Sequence, residues 1–86
     1  MMAANISVRV LAFARVRELL GCAEWTLQLP PGATVADAWE ALAERAEPLR
    51  ALASSTRLAQ NGRIVDGGAP LHDGDEVALL PPVGGG

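Results

Sequence analysis

The chain has 86 residues and a formal charge of −3; half of it is apolar, with 16 alanines in that half, and all seven cations are arginine. A chain of this length builds one small domain with a modest core. One His, one Cys, no Tyr and no Lys exclude a lysine Schiff base and a Cys/His zinc cluster, and any His-centred triad would have to use His72.

The acidic balance, with a pI of about 4.9, and the scatter of arginines from Arg9 to Arg63 speak against a nucleic-acid partner. No stretch approaches the roughly 18 apolar residues of a membrane span, so no membrane partner is expected. The opening MMAANISVRVLAFARVREL lacks a charged segment followed by an apolar core, and a lone cysteine forms no internal disulfide. A cytoplasmic location is therefore expected.

In chain order, Ile6 to Phe13 alternates: Ile6, Val8, Val10 and Ala12 share one face, and Ser7, Arg9, Leu11 and Phe13 the other. That period of two predicts a strand. Ala14 to Leu20 reads as a short helix closed by Gly21, a residue suited to a left-handed cap. Trp25, Leu27 and Leu29 mark a second strand, stopped by Pro30 and Pro31 and returning beside the first in the manner of a hairpin. Thr34 followed by Asp37 predicts a capped helix start, and Val35, Ala38, Trp39, Leu42, Ala43 and Ala46 line one helical face until Pro48 ends it. Leu49 to Ser55 is either a further helical turn or a connector.

Arg57 to Gln60, Asn61-Gly62 and Arg63 to Val65 predict a short hairpin, because Asn-Gly supplies positive φ at both turn positions. Asp66 to Asp75 reads as loop, and Glu76 to Leu80 as the last strand. This order describes an α+β fold, one sheet on one principal helix, spanning residues 1–80, with 81–86 as a tail. A single helix covers one sheet face and leaves the other to solvent or a partner.

The other candidates for chemistry are weak. Cys22 has Glu24 nearby, which disfavours a thiolate, so a structural thiol is expected. His72 reads as a solvated loop residue. Asp73, Asp75 and Glu76 lack the spacing of a calcium loop and fit turn formation; no metal site is expected. Arg15 and Arg17 can pair either with Glu18 and Glu24 or with an acidic partner. Phe13, Ile64 and Leu80 fall on the face away from Val8 and Val10 and form a candidate apolar patch; the alternative is burial against the connector from Leu49 to Thr56.

The most informative stretch is DGDEVALLPPVGGG, from Asp73 to Gly86. Pro81-Pro82 forbids helix and favours an extended segment. Six extended residues reach roughly 20 Å, against a radius of gyration of about 12 Å for a domain this size. Glycines at 84 to 86 cost order on binding but pass through a narrow channel, and the free carboxylate can carry sulfur or an acyl bond once a partner activates it. A frayed terminus is the alternative.

Leu11 to Leu19, with its LxFAxxREL pattern, Gly21 and the terminal DGDEVALLPPVGGG together resemble the small subunit of molybdopterin synthase, a ubiquitin-like sulfur carrier. The resemblance runs the length of the chain and implies the β-grasp fold. It implies that a ubiquitin-activating-type enzyme adenylates the Gly86 carboxylate with ATP, and that a sulfur donor protein supplies the sulfur for a thiocarboxylate. It further implies that the tail Pro81, Pro82, Val83, Gly84 and Gly85 inserts into the synthase large subunit. There sulfur passes to the cyclic pyranopterin precursor, in molybdenum cofactor biosynthesis. Phe13, Ile64, Leu80 and Arg17 would meet partners. No cofactor would stay bound, and the chain would not be catalytic alone. Leu79 and Leu80 stand where that family usually carries aromatics, and Gly84 where a small non-glycine residue is common. The Val-Gly-Gly-Gly ending is shared with the sulfur carrier of thiamine synthesis, which remains an alternative beside a tRNA-thiolation carrier and a non-covalent ubiquitin-like module.

Overall fold

Alternating apolar residues make β1 (Ile6–Ala12), whose Val8, Val10 and Ala12 are buried while Arg9 is exposed. The computed structural model describes residues 4–81. The strand stops one residue short of the expected Phe13 because Ala14 takes a left-handed φ of 50° and turns the chain into α1 (Ala14–Leu20). Gly21, at φ 81°, closes α1 as expected, and its N–H donates to the Arg17 carbonyl. β2 (Glu24–Leu29) then returns antiparallel to β1.

α2 (Val35–Arg45) begins in a full capping box. The Asp37 carboxylate accepts from the Thr34 N–H at 2.8 Å, and the Thr34 hydroxyl accepts from the Asp37 N–H at 3.3 Å. Thr34→Ala is expected to cost about 1 kcal/mol. That lowers the melting temperature by roughly 4–8 °C, readable by circular dichroism; an unchanged transition would show that the box contributes nothing.

α2 ends at Arg45, so Ala46, expected on its apolar face, is the cap residue instead. Pro48 is the reason: it has no N–H for the carbonyl of Glu44, and its ring would clash there. The chain restarts as a 3-10 helix (Glu47–Ser55) with Pro48 in its first turn, longer than the turn or connector expected from Leu49. Leu49 and Leu52, three apart and hence eclipsed on a 3-10 helix, both pack on the core. The Thr56 hydroxyl closes the run on the Leu52 carbonyl at 2.8 Å.

β3 (Arg57–Gln60) and β4 (Arg63–Val65) form the expected hairpin, with Asn61 at φ 50° and Gly62 at φ 86°. β5 (Glu76–Leu80) enters the middle of the sheet, giving the order β2-β1-β5-β3-β4. It runs parallel to β1 and antiparallel to β3. Val8, Val10, Val77 and Leu79 face Val35, Leu42 and Leu49 in one core, which also takes Val16 of α1. Each fully buried Val or Leu contributes roughly 1.5–3 kcal/mol by leaving water. All helices therefore lie on one side of the sheet, and Trp39 packs half-buried against that core.

Candidate functional site

The helix-free sheet face is built by strand register. Directly paired residues point to the same face. Leu11 pairs with Ala78, Ala78 with Ala59, and Ala59 with Ile64, so these four make one apolar row across β1, β5, β3 and β4. Ala59 is only 6% exposed yet stands outside the helix-side core, because its cover is this row. Leu80, half-buried, is opposite Arg57 in the next step along the sheet. Phe13 follows Ala12, which pairs with Leu79, so it leaves β1 beside Leu80. Phe13 and Ile64 are 43% and 56% exposed, so neither is buried against the 3-10 helix.

Register thus sets Ile64 and Leu80 on one face, with Phe13 at its edge. Sequence reasoning misses Ala59 and Ala78, which are too small to signal a surface. Leu11 is readable from its alternation with Phe13.

Polar groups border this row. Arg9 donates to Glu76 at 2.6 Å, and that hydrogen bond, reinforced by the charges of Glu24 and Glu76, raises the guanidinium pKa above its usual value. Gln28 donates to the Ser7 hydroxyl at 2.7 Å. Arg15 pairs with Glu18 at 3.3 Å, whereas Arg17 and Arg57 have no ion pair among the described residues. Arg17 is exposed on α1 and available to a partner.

Leu80 leads into Pro81, half-buried, at the end of the sheet where Phe13 leaves β1 and Arg57 enters β3. The expected tail residues Pro82, Val83, Gly84, Gly85 and Gly86 lie outside the described residues.

The loop before β5 forms the expected turn, with the Asp75 N–H donating to the His72 carbonyl at 3.1 Å and Gly74 at φ 88°, and the Asp75 side chain adds ties beyond it. Its carboxylate accepts from Gln60 Nε2 at 2.8 Å, Asn61 Nδ2 at 2.9 Å and the His72 N–H at 2.8 Å. Burial alone would raise the Asp75 pKa; the hydrogen bonds, with the nearby His72, outweigh it and hold the carboxyl below its usual value. Asp73 accepts from the Ser7 N–H at 2.7 Å. The His72 side chain is exposed, Cys22 is half-buried, and no cluster of metal-ligating side chains occurs among the described residues. No helix among them is long and apolar enough to cross a membrane.

These features match known proteins over nearly the whole chain. The ThiS family matches residues 10–86, from β1 through the terminal glycines. The molybdopterin synthase sulfur carrier subunit of Arabidopsis thaliana is 34% identical over 82 residues, covering 95% of this chain and 85% of that protein. The structure of a putative molybdopterin converting factor subunit 1 from Pyrococcus furiosus has a TM-score of 0.83 at 36% identity, covering 91% of this chain and 99% of that one. In a complex of subunits 1 and 2 of the molybdopterin-converting factor from Helicobacter pylori, the similar chain has a TM-score of 0.66 at 26% identity; the match covers 94% of this chain and all of that one. The architecture is the β-grasp of ubiquitin-like proteins. With the match carried through both the folded sheet and the glycine-ended tail, the chain belongs to the ThiS family, among relatives that are molybdopterin synthase sulfur carrier subunits.

Proposed function

We propose that this chain is the sulfur carrier subunit of a molybdopterin synthase and that its reactive group is the Gly86 carboxylate. The observation that carries the reading is a family match continuing to residue 86, where the sequence is glycine without interruption from position 84. The carboxylate oxygen attacks the α-phosphate of ATP on an adenylating partner, releasing pyrophosphate. A sulfur nucleophile delivered by a donor protein then displaces AMP and leaves a thiocarboxylate. The loaded tail enters the large subunit, where its sulfur attacks the cyclic pyranopterin precursor, and water then cleaves the acyl carbon–sulfur bond, leaving sulfur on the precursor and restoring the Gly86 carboxylate. Acid–base groups for that step belong to the large subunit.

The apolar row with Phe13 and Leu80 supplies the docking surface, and Arg17, exposed on α1 and without an ion pair among the described residues, supplies a separate polar contact. A large-subunit partner is consistent with the Helicobacter pylori complex, in which the similar chain is paired with subunit 2.

Intact-mass measurement tests the reading. Incubated with a ubiquitin-activating-type enzyme, ATP and a sulfur donor, the protein is expected to gain one sulfur in place of one oxygen. Deleting Gly86 is expected to abolish that gain without changing the circular dichroism spectrum. Sulfur transfer by the truncated protein would refute the carboxylate role, and co-purification with a thiazole synthase in place of the large subunit would redirect the pathway to thiamine.

A further inference from the structure

β1 runs into α1 through a single intervening residue, Phe13, which is still extended at φ −130° and ψ 158°. The reversal from strand to helix therefore falls on Ala14, whose φ is 50°. A left-handed φ crowds the Cβ of an L-residue against its own backbone, so the position is normally left to glycine and, less often, to asparagine or aspartate. The chain follows that rule elsewhere: the other described residues with positive φ are Gly21, Gly32, Gly62, Gly74 and Asn61. Ala14 is the exception. It holds a strained backbone that glycine would adopt freely.

Packing does not explain the methyl group, because Ala14 is exposed and takes no part in the core. Capping does not explain it either, since the N-cap of α1 is Phe13 and makes no side-chain bond. What a Cβ does at this joint is narrow the torsions. Alanine at positive φ has one small allowed region, whereas glycine ranges over both signs of φ.

The joint matters because it is lightly held on its helical side. Before it, Ala12 is fixed by pairing with Leu79 of β5 and by donating to the Ala23 carbonyl at 2.8 Å. After it, α1 has 7 residues, with Val16 buried and Leu19 and Leu20 half-buried against the core. Phe13 has little cover, at 43% exposed, and its carbonyl accepts the Arg17 N–H at 3.2 Å as the first bond of α1. With β1 fixed, the torsions of Phe13 and Ala14 decide how α1 leaves the sheet. They thereby set the spacing between the Phe13 ring and Arg17, which is exposed and has no ion pair among the described residues.

We propose that Ala14 is a positioning residue: its strained backbone fixes the angle at which α1 leaves β1 and so presents Phe13 and Arg17 to a protein partner in one preset arrangement. Strain held in the free protein replaces ordering that would otherwise oppose association, so stability is given up for affinity. The choice of partner, a synthase large subunit, rests on the sulfur-carrier reading. The strain and its hold on Phe13 do not.

Ala14→Gly tests the proposal by separating stability from binding. Its melting temperature is expected to rise by roughly 4 °C as the strain is released. Its affinity for the large subunit is expected to fall about threefold, because glycine surrenders more backbone freedom on docking. Phe13 is the chain's single phenylalanine, so fluorophenylalanine labelling places one fluorine reporter at the joint. Fluorine relaxation is expected to show added fast motion of residue 13 in Ala14→Gly and none in Ala14→Asn, which keeps a Cβ and suits a left-handed φ. A lower melting temperature for Ala14→Gly shows that the joint is not strained, and unchanged affinity or unchanged Phe13 motion shows that it positions nothing; each overturns the proposal. A wild-type chain that binds no large subunit refutes the carrier reading instead, and the melting and fluorine measurements then decide the role of Ala14 by themselves.

Discussion

Asp75→Ala is expected to lower the unfolding free energy at neutral pH by about 3 kcal/mol, because a carboxylate accepting several hydrogen bonds is lost and its donors are left to find water. The corresponding fall in melting temperature is roughly 12–24 °C for a domain of this size. The effect is large because Asp75 ties its own loop, through His72, to a segment remote in sequence, through Gln60 at the end of β3 and Asn61 in the hairpin turn. Gln60 also donates to the Pro70 carbonyl, and Asn61 accepts from the Glu76 N–H, so the same side chains fix where β5 begins.

The pH dependence has a definite sign. The folded-state pKa of Asp75 is depressed, so its stabilisation is fully present above the unfolded-state value, about 3.9. It is lost as pH falls from there through the lower folded-state value. Urea unfolding should therefore show a wide gap between wild type and Asp75→Ala at neutral pH, narrowing below about pH 4. An equal gap at both ends would remove the carboxylate from the account of stability.

Phe13→Asp is expected to weaken binding to a synthase large subunit by at least about 30-fold, about 2 kcal/mol, the scale of a large apolar anchor replaced by a charge in an interface. The substitution is a clean test because Phe13 is 43% exposed and occupies the N-cap of α1 without a side-chain capping bond. Aspartate is a favoured N-cap, so α1 should hold at least as well as before. Ile64→Asp probes the other end of the row from a residue 56% exposed, with a folding cost within about 0.5 kcal/mol. Titration calorimetry on both variants reads the effect. If affinity is unchanged in each, the helix-free face is not where the large subunit docks.

Features governed by neighbours in sequence are legible in the residues themselves. Thr34 and Asp37 announce the start of α2, Gly21 the end of α1, and Asn61-Gly62 the hairpin, because caps and turns are settled within a few residues. The exit of α2 is less clear, since Pro48 forbids continuing the α-helix without dictating that a 3-10 helix follows. The composition of the apolar row is only half visible. Phe13, Ile64 and Leu80 stand out by size, but Ala59 and Ala78 acquire meaning only once β5 is inserted between β1 and β3. The same insertion gives Asp75 its distant partners, so a residue that reads as a turn former, and is one, also ties the turn to β3 and its hairpin. Gly84 to Gly86 take on a chemical reading only through the resemblance of the whole terminal stretch to a sulfur carrier, since by composition alone they read as a frayed terminus.

The position of β5 also has a mechanical consequence. On the proposed function, in which a partner draws the tail into a channel, the pull falls on the domain at Pro81, along the axis of a strand flanked by β1 on one side and β3 on the other. The interstrand hydrogen bonds lie across that direction, so the load is borne in shear by both ladders together instead of peeling them bond by bond. The rate of forced rupture is then that of breaking a whole strand free. The domain can be towed by its end while its sheet stays intact.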